Sequence, residues 1–463
     1  MVGGRVSSPD HLAGDLAHLV HPLTDHSQLP STGPLVIVRG EGCELVAAEG
    51  RRLIDGCSGL WTVNLGHGRN DLVKAAGAQL QTLPYLSTFG GVSSPPAIEL
   101  AERITALTPG LSGVFFVSGG SEANESAIKL ARRHWIHRGM PQKSIVLAHD
   151  RGYHGLSGVT TTATRLRAYH PDFGDPAPDV VEVPAPYTYR CEAGVPCDPA
   201  VCPICQGDAL ERKIEEIGPD RVAALIVEPV FGSGGVIVPP AGYLRRLREV
   251  CDRHDVLLIV DEVITGFGRT GTWFACEDEG VVADMITFAK GVTNGYIPLG
   301  GVVLSDALWD ELRDPGRRPG YLMHGFTHSG HPVACAVALA TIEAIEREDL
   351  LVQVGESSEL LADAVAPLRD LPEVGEVRQA GLMVGVELVA DRETRQRWPV
   401  EAERGRRAAY AARDRGLLTR GLLDDILCFA PPFTISEQML RLSVEILGES
   451  IAATGDLHAE PRV

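Results

Sequence analysis

Five short segments of almost unbroken apolar character run through the middle of the chain: residues 114–118 (VFFVS), 144–148 (SIVLA), 222–227 (VAALIV), 256–260 (VLLIV) and 285–289 (MITFA). A strand with one wet face alternates polar and apolar residues. Strands this uniformly apolar need cover on both faces, as in a parallel sheet packed between helices. The segments between them supply that cover: EANESAIKLARRHWIHR and AGYLRRLREVCDRH carry apolar residues at helical spacing among charged ones. This rhythm predicts an α/β doubly wound domain over residues 61–330. Beyond it the texture changes. SSELLADAVAPL, EAERGRRAAYAARDRG and ISEQMLRLSVEILGESIAA read as helices, with strand-like LMVGVELV between the first two. Residues 331–463 are therefore expected to form a smaller α+β domain, joined by residues 1–60. The Pro-rich stretch 171–203 reads as an excursion from the sheet.

Composition narrows the partners. With 61 acidic against 42 basic side chains the formal charge is −19, and no basic run offers the cationic footprint that nucleic acid requires. No apolar segment approaches the roughly 18 residues of a membrane helix. The N-terminus lacks the basic start and apolar core of a secretory leader, so a cytoplasmic protein acting on small molecules is expected. Of ten cysteines, Cys191, Cys197, Cys202 and Cys205 fall close together. The final C-x-x-C has ligand-like spacing, but the gaps of five and four residues before it are looser than zinc-finger spacing. Reduced thiols in a surface loop, with no metal, are the expectation.

Three features carry chemistry. The chain has only five lysines, Lys74, Lys129, Lys143, Lys213 and Lys290. Four sit in polar or helical surroundings, whereas Lys290 follows the apolar strand MITFA. Burial at a strand end disfavours the ammonium form and leaves a nucleophilic amine. Second, Ser118-Gly119-Gly120-Ser121 stands between strand VFFVS and the helix that follows. There glycine permits close approach of an anion, and free N–H groups at the helix start attract it. Third, Asp261 ends strand VLLIV and Glu228 ends VAALIV, at the sheet edge where α/β folds bind ligands. Opposite a pyridine nitrogen, a carboxylate keeps that nitrogen protonated. Taken singly, each feature also reads as something plainer: a snorkelling lysine, an ordinary helix cap, a loop-fixing acid.

Together, and in this order, they match a known family. FFVSGGSEANESAIKLAR, GYHG, LIVEPV, LLIVDEVITGFGRTG, FAKG and HGFTHSGHPVACAVALA resemble the class III (omega-type) aminotransferases of fold-type I, enzymes dependent on pyridoxal phosphate; the resemblance spans residues 35–447. It implies that Lys290 carries the cofactor as a Schiff base and shuttles the substrate proton. It implies further that Asp261 pairs with the ring nitrogen, that Tyr153 and Val263 sandwich the ring, and that Gly120 and Ser121 hold the phosphate. Thr327 of a second subunit would help, which requires a homodimer. One departure is visible: the family often has Asn-Ser-Gly-Ser where this chain has Ser118-Gly119-Gly120-Ser121, so a hydroxyl is missing at Gly119.

The resemblance also bears on substrate. Many relatives that use glutamate or ω-amino acids carry arginine directly after the aromatic-His-Gly motif, where this chain has Leu156. GLLTRGLLDDILCFAPP resembles the amine:pyruvate branch, whose switching arginine corresponds to Arg420. That guanidinium would grip an α-carboxylate bidentately and swing away, onto Glu228, when an apolar group enters. Trp61 and Phe89 match aromatic pocket positions of the same branch. The expected activity is a ping-pong transamination from a primary amine or ω-amino compound to pyruvate or another carbonyl acceptor. The alternatives on the same scaffold are an aminomutase, and a biosynthetic enzyme that aminates one aldehyde.

Overall fold

The computed structural model describes residues 8–174, 177–314, 316 and 320–455. A seven-stranded sheet forms its centre, in the spatial order Leu111–Val117, Gly300–Ser305, Met285–Phe288, Leu257–Asp261, Val222–Val227, Ile145–His149 and Val180–Val183. From Met285–Phe288 to Val180–Val183 every neighbouring pair is parallel. Gly300–Ser305 runs antiparallel to both its neighbours. All six residues of Val222–Val227 and all five of Leu257–Asp261 are buried. Their unbroken apolar sequence is thus explained by two helical layers, with a hydrophobic core on each face of the sheet.

The five predicted strands are present, and the sheet adds two more. Gly300–Ser305 opens on two glycines, which are poor strand formers. Val180–Val183 is a four-residue edge strand inside the Pro-rich stretch, so that stretch contributes to the sheet before leaving it; its residues 175–176 lie outside the described residues, as do residues 1–7. Lys143 also departs from expectation. It is buried, its Nζ lies 3.9 Å from the centre of the Trp135 ring, and it donates to the Asp255 carbonyl. Burial lowers its pKa.

Two smaller sheets flank the centre. Ile37–Glu41, Glu44–Ala47 and Arg52–Asp55 form an antiparallel meander, and Leu417–Leu418 adds to its edge in parallel, so N-terminal and C-terminal segments share one sheet. Val374–Ala380, Met383–Leu388, Ile426–Phe429 and Arg420–Leu422 form an antiparallel sheet. Helix Pro332–Arg347 packs against helices Asn70–Thr82 and Pro95–Leu107. Among the described residues no helix is long and apolar enough to cross a membrane.

Candidate active site

Parallel strands carry their carboxyl ends to one edge of the sheet, and the residues just past those ends meet there. Asp261 ends Leu257–Asp261, Glu228 follows Val222–Val227, Tyr153 follows Ile145–His149 and Lys290 follows Met285–Phe288. Asp261 is held from three sides. Its Oδ2 accepts from Asn124 Nδ2 at 2.7 Å and lies 2.8 Å from His154 Nδ1, while Oδ1 accepts from the Val263 N–H at 3.0 Å. An ionised carboxylate is acceptor-only, so the His154 nitrogen that faces it carries a proton. Asn124 in turn accepts from Thr287 Oγ1 at 2.6 Å. A chain of bonds thus runs from the strand before Lys290 to Asp261 and on to the loop bearing Tyr153. The next residue, Glu262, turns the other way: it is fully buried and bonds Thr265 and the Cys276 N–H.

Lys290 adopts φ 44°, in the left-handed region that costs a non-glycine residue energy and is concentrated at functional sites. The residue is half-buried, and its amine sits deep among protein atoms. Burial pushes its pKa down to about 8, against the opposing pull of Asp261 and Glu228. At mildly alkaline pH a substantial fraction of the amine is neutral and nucleophilic.

Glu228 is also buried, and desolvation raises its pKa to about 7. Its Oε1 accepts from the Tyr153 N–H at 2.9 Å and its Oε2 from the Gly232 N–H at 3.0 Å. It therefore ties the Tyr153 loop to the turn at Gly232. Arg420 rests elsewhere: its Cζ lies 5.5 Å from the centre of the buried Trp61 ring. It is close enough to Lys290, Tyr153 and Tyr169 to affect their protonation electrostatically. Among the described residues it forms no ion pair with a carboxylate. Tyr153 and Tyr169 meet edge to face at 5.7 Å.

The cradle opens helix Gly120–His137. A Cβ on Gly120 would stand 2.9 Å from Val263 Cγ1, so glycine allows the helix start to lie against Val263, two residues past the strand-end Asp261. Ser121 Oγ accepts from the Leu156 N–H at 3.3 Å. Leu156 itself is exposed and brings no charge to the pocket. Phe89 and Thr327 form a second group at an exposed surface. A Cβ on Gly325 would collide with the Phe89 ring at 2.6 Å, and Tyr85 Oη donates to the Thr327 carbonyl at 2.9 Å.

Three residues escaped the sequence reading. His154 lies inside GYHG, a motif in which the resemblance assigns a role to Tyr153 alone. Asn124 is a buried amide on a helix, a departure from the polar-out rule that was available as a signal. Tyr169 lies in an irregular stretch with no periodicity to mark it.

The site fits pyridoxal phosphate. A helix start free of a side chain suits the phosphate, a fixed carboxylate suits the ring nitrogen, and a desolvated lysine suits the aldehyde. Comparison with known proteins agrees. The family model for aminotransferase class III matches residues 27–451. A putrescine–pyruvate aminotransferase of Pseudomonas aeruginosa is 38% identical over 442 residues, covering 94% of this chain and 95% of that protein. The crystal structure of an (S)-enantioselective omega-transaminase from Thermomicrobium roseum is 44% identical, with a TM-score of 0.91 over 97% of this chain and 98% of that one. The omega-transaminase of Pseudomonas jessenii, solved in complex with PMP, is 35% identical, with a TM-score of 0.92 over 96% of this chain and 98% of that one. This chain belongs to the class III aminotransferases of fold-type I, enzymes whose cofactor is pyridoxal phosphate.

Proposed function

We propose that this aminotransferase takes the amino group of a primary amine or ω-amino compound and delivers it to pyruvate, or a similar carbonyl acceptor, in two separate half-reactions. The observation that carries this reading is Arg420, a guanidinium stacked on Trp61 and free of any carboxylate partner among the described residues. Held there, it can fork onto the α-carboxylate of a keto acid. The exposed Leu156 adds no second cation for a dicarboxylate, which favours pyruvate over 2-oxoglutarate. The putrescine–pyruvate relative supports the same pairing.

When bound, pyridoxal phosphate supplies the carbonyl carbon that takes up an amine and a ring that draws electrons from the substrate. The chain does the rest. Gly120 and Ser121 hold the phosphate at the helix start, and Tyr153 and Val263 flank the ring. Asp261, fixed by His154 and Asn124, keeps a proton on the ring nitrogen. Lys290 Nζ takes the proton from the carbon bearing the donor's amino group. In the second half-reaction it returns one to the carbonyl carbon of the acceptor. Glu228 ties the Tyr153 loop to Gly232 through one backbone bond to each.

The working unit in this reading is a homodimer, with Thr327 reaching the partner's phosphate site. Exposed Phe89, Tyr85, Tyr321 and Met323 favour a covered surface. A cytoplasmic setting fits ten cysteines that form no disulfide.

Single-turnover kinetics of each half-reaction test the reading. A charge-assisted contact contributes roughly 1.5–3 kcal/mol, so Arg420→Ala should lower efficiency with pyruvate by about ten- to a hundredfold. The half-reaction with an uncharged amine donor should change little. Equal losses in both halves would make Arg420 a support of the fold, and a loss with the amine alone would reverse the assignment of the pocket.

A further inference from the structure

The four clustered cysteines take no part in the transamination site, and their arrangement departs from separate thiols in a surface loop. Cys191, Cys202 and Cys205 are buried and Cys197 is half-buried. Their four Sγ atoms all lie within 4.8 Å of one another. Cys191 Sγ is 3.4 Å from Cys202 Sγ, and Cys197 Sγ is 3.6 Å from Cys205 Sγ. A tetrahedral zinc with Zn–S bonds of about 2.3 Å sets its sulfurs roughly 3.8 Å apart, so the sulfurs already stand near the corners of such a tetrahedron.

The backbone around them is shaped to the same end. Turns fold the chain back at two places: the Gly194 N–H bonds the Cys191 carbonyl at 3.1 Å, and the Gln206 N–H bonds the Cys202 carbonyl at 2.9 Å. The insert has almost nothing else to hold it. Its local core consists of the four cysteines with Ile204 and Ala209, and small units without a core depend on a staple. The loose gaps of five and four residues, which argue against a metal in the sequence, are accommodated because the cysteines come from two separate turns.

We propose that Cys191, Cys197, Cys202 and Cys205 bind one zinc ion, with a structural role. All four positions are filled by protein sulfur, which leaves none open for catalysis, and each thiol gives up its proton on binding. The site ties together two parts of the fold. Just before it, Tyr187 and Arg190 bond Glu387 on strand Met383–Leu388. Just after it, helix Asp208–Ile217 packs on helix Tyr243–Arg253. Zinc would thus brace the contact between the central sheet and the C-terminal sheet.

Elemental analysis of the holoenzyme, purified without a polyhistidine tag, should give one zinc per chain. X-ray absorption at the zinc edge should show four sulfur neighbours at about 2.3 Å. Cys205→Ser and Cys191→Ser should lose the zinc and melt at lower temperature, whereas Cys43→Ser keeps it. Stripping zinc from the wild type with a chelator should lower its Tm, and zinc alone should restore it; this arm stands even if the serine variants do not fold. Iron in place of zinc, a reduced protein that takes up no added zinc, or a native mass lighter by the hydrogens of two disulfides would overturn the proposal.

Discussion

Burial lowers the pKa values of both Lys290 and Lys143, and their surroundings separate them. Lys143 spends its donors on a backbone carbonyl and the Trp135 face. Lys290 stands at the strand edge within electrostatic reach of Asp261 and Glu228. Its placement was legible in the sequence because an apolar strand dictates where its carboxyl end must lie. The burial of Lys143 was not, since it depends on Trp135 and Asp255, partners distant in the chain. Asp261 yields a direct prediction. Asp261→Asn keeps the shape and removes the charge proposed to hold a proton on the ring nitrogen. The variant should retain pyridoxal phosphate and its fold while its half-reaction with an amine slows by roughly 10²–10³-fold, the usual cost of losing one electrostatic contact in a closed site. Rapid-mixing absorbance measurements decide it, and wild-type rates would make the carboxylate structural.

The segment DEVITGFGRTG was the most specific motif in the sequence, and the structure shows how many tasks it combines. Asp261 faces the site, Glu262 faces the core, and Gly268 at φ 99° passes so close to Leu351 and Phe433 that a Cβ would stand 2.8–2.9 Å from them. Arg269, near the end of the segment, is fully buried and donates to the Pro431 carbonyl at 2.6 Å, Asn64 Oδ1 at 2.5 Å and Ser58 Oγ at 3.1 Å. Burial brings its pKa down to about 10. It joins the loop after the catalytic strand to N-terminal and C-terminal segments at once. Arg269→Met should strand three buried acceptors, each worth on the order of 1–3 kcal/mol. Denaturant unfolding should therefore show a loss of several kcal/mol, with cofactor affinity falling alongside; a change below about 1 kcal/mol would mean that water replaces the guanidinium. Other elements were harder to read. Gly300–Ser305 lacks the uniform apolar run of its neighbours, and Val180–Val183 is too short, and too closely flanked by prolines, to stand out.

At the scale of the whole molecule the sequence disclosed the order of strands and helices, and with it the edge where the cofactor site forms. It did not disclose partnerships between distant segments: Leu417–Leu418 on the N-terminal meander, Glu387 with Tyr187 and Arg190, or the convergence of four cysteines from two turns. Such contacts leave no periodic trace. The central claim is that the strand edge assembles around Lys290 as the residue that bears the cofactor. Borohydride reduction of the holoenzyme, followed by mass mapping of its peptides, tests it most directly. The phosphopyridoxyl group should be found on the peptide containing Lys290 and should be absent from a Lys290→Ala variant, whose turnover falls by at least the roughly 10²–10⁴-fold that a positioned proton carrier contributes. Recovery of the group on Lys143, Lys74, Lys129 or Lys213 would contradict the account.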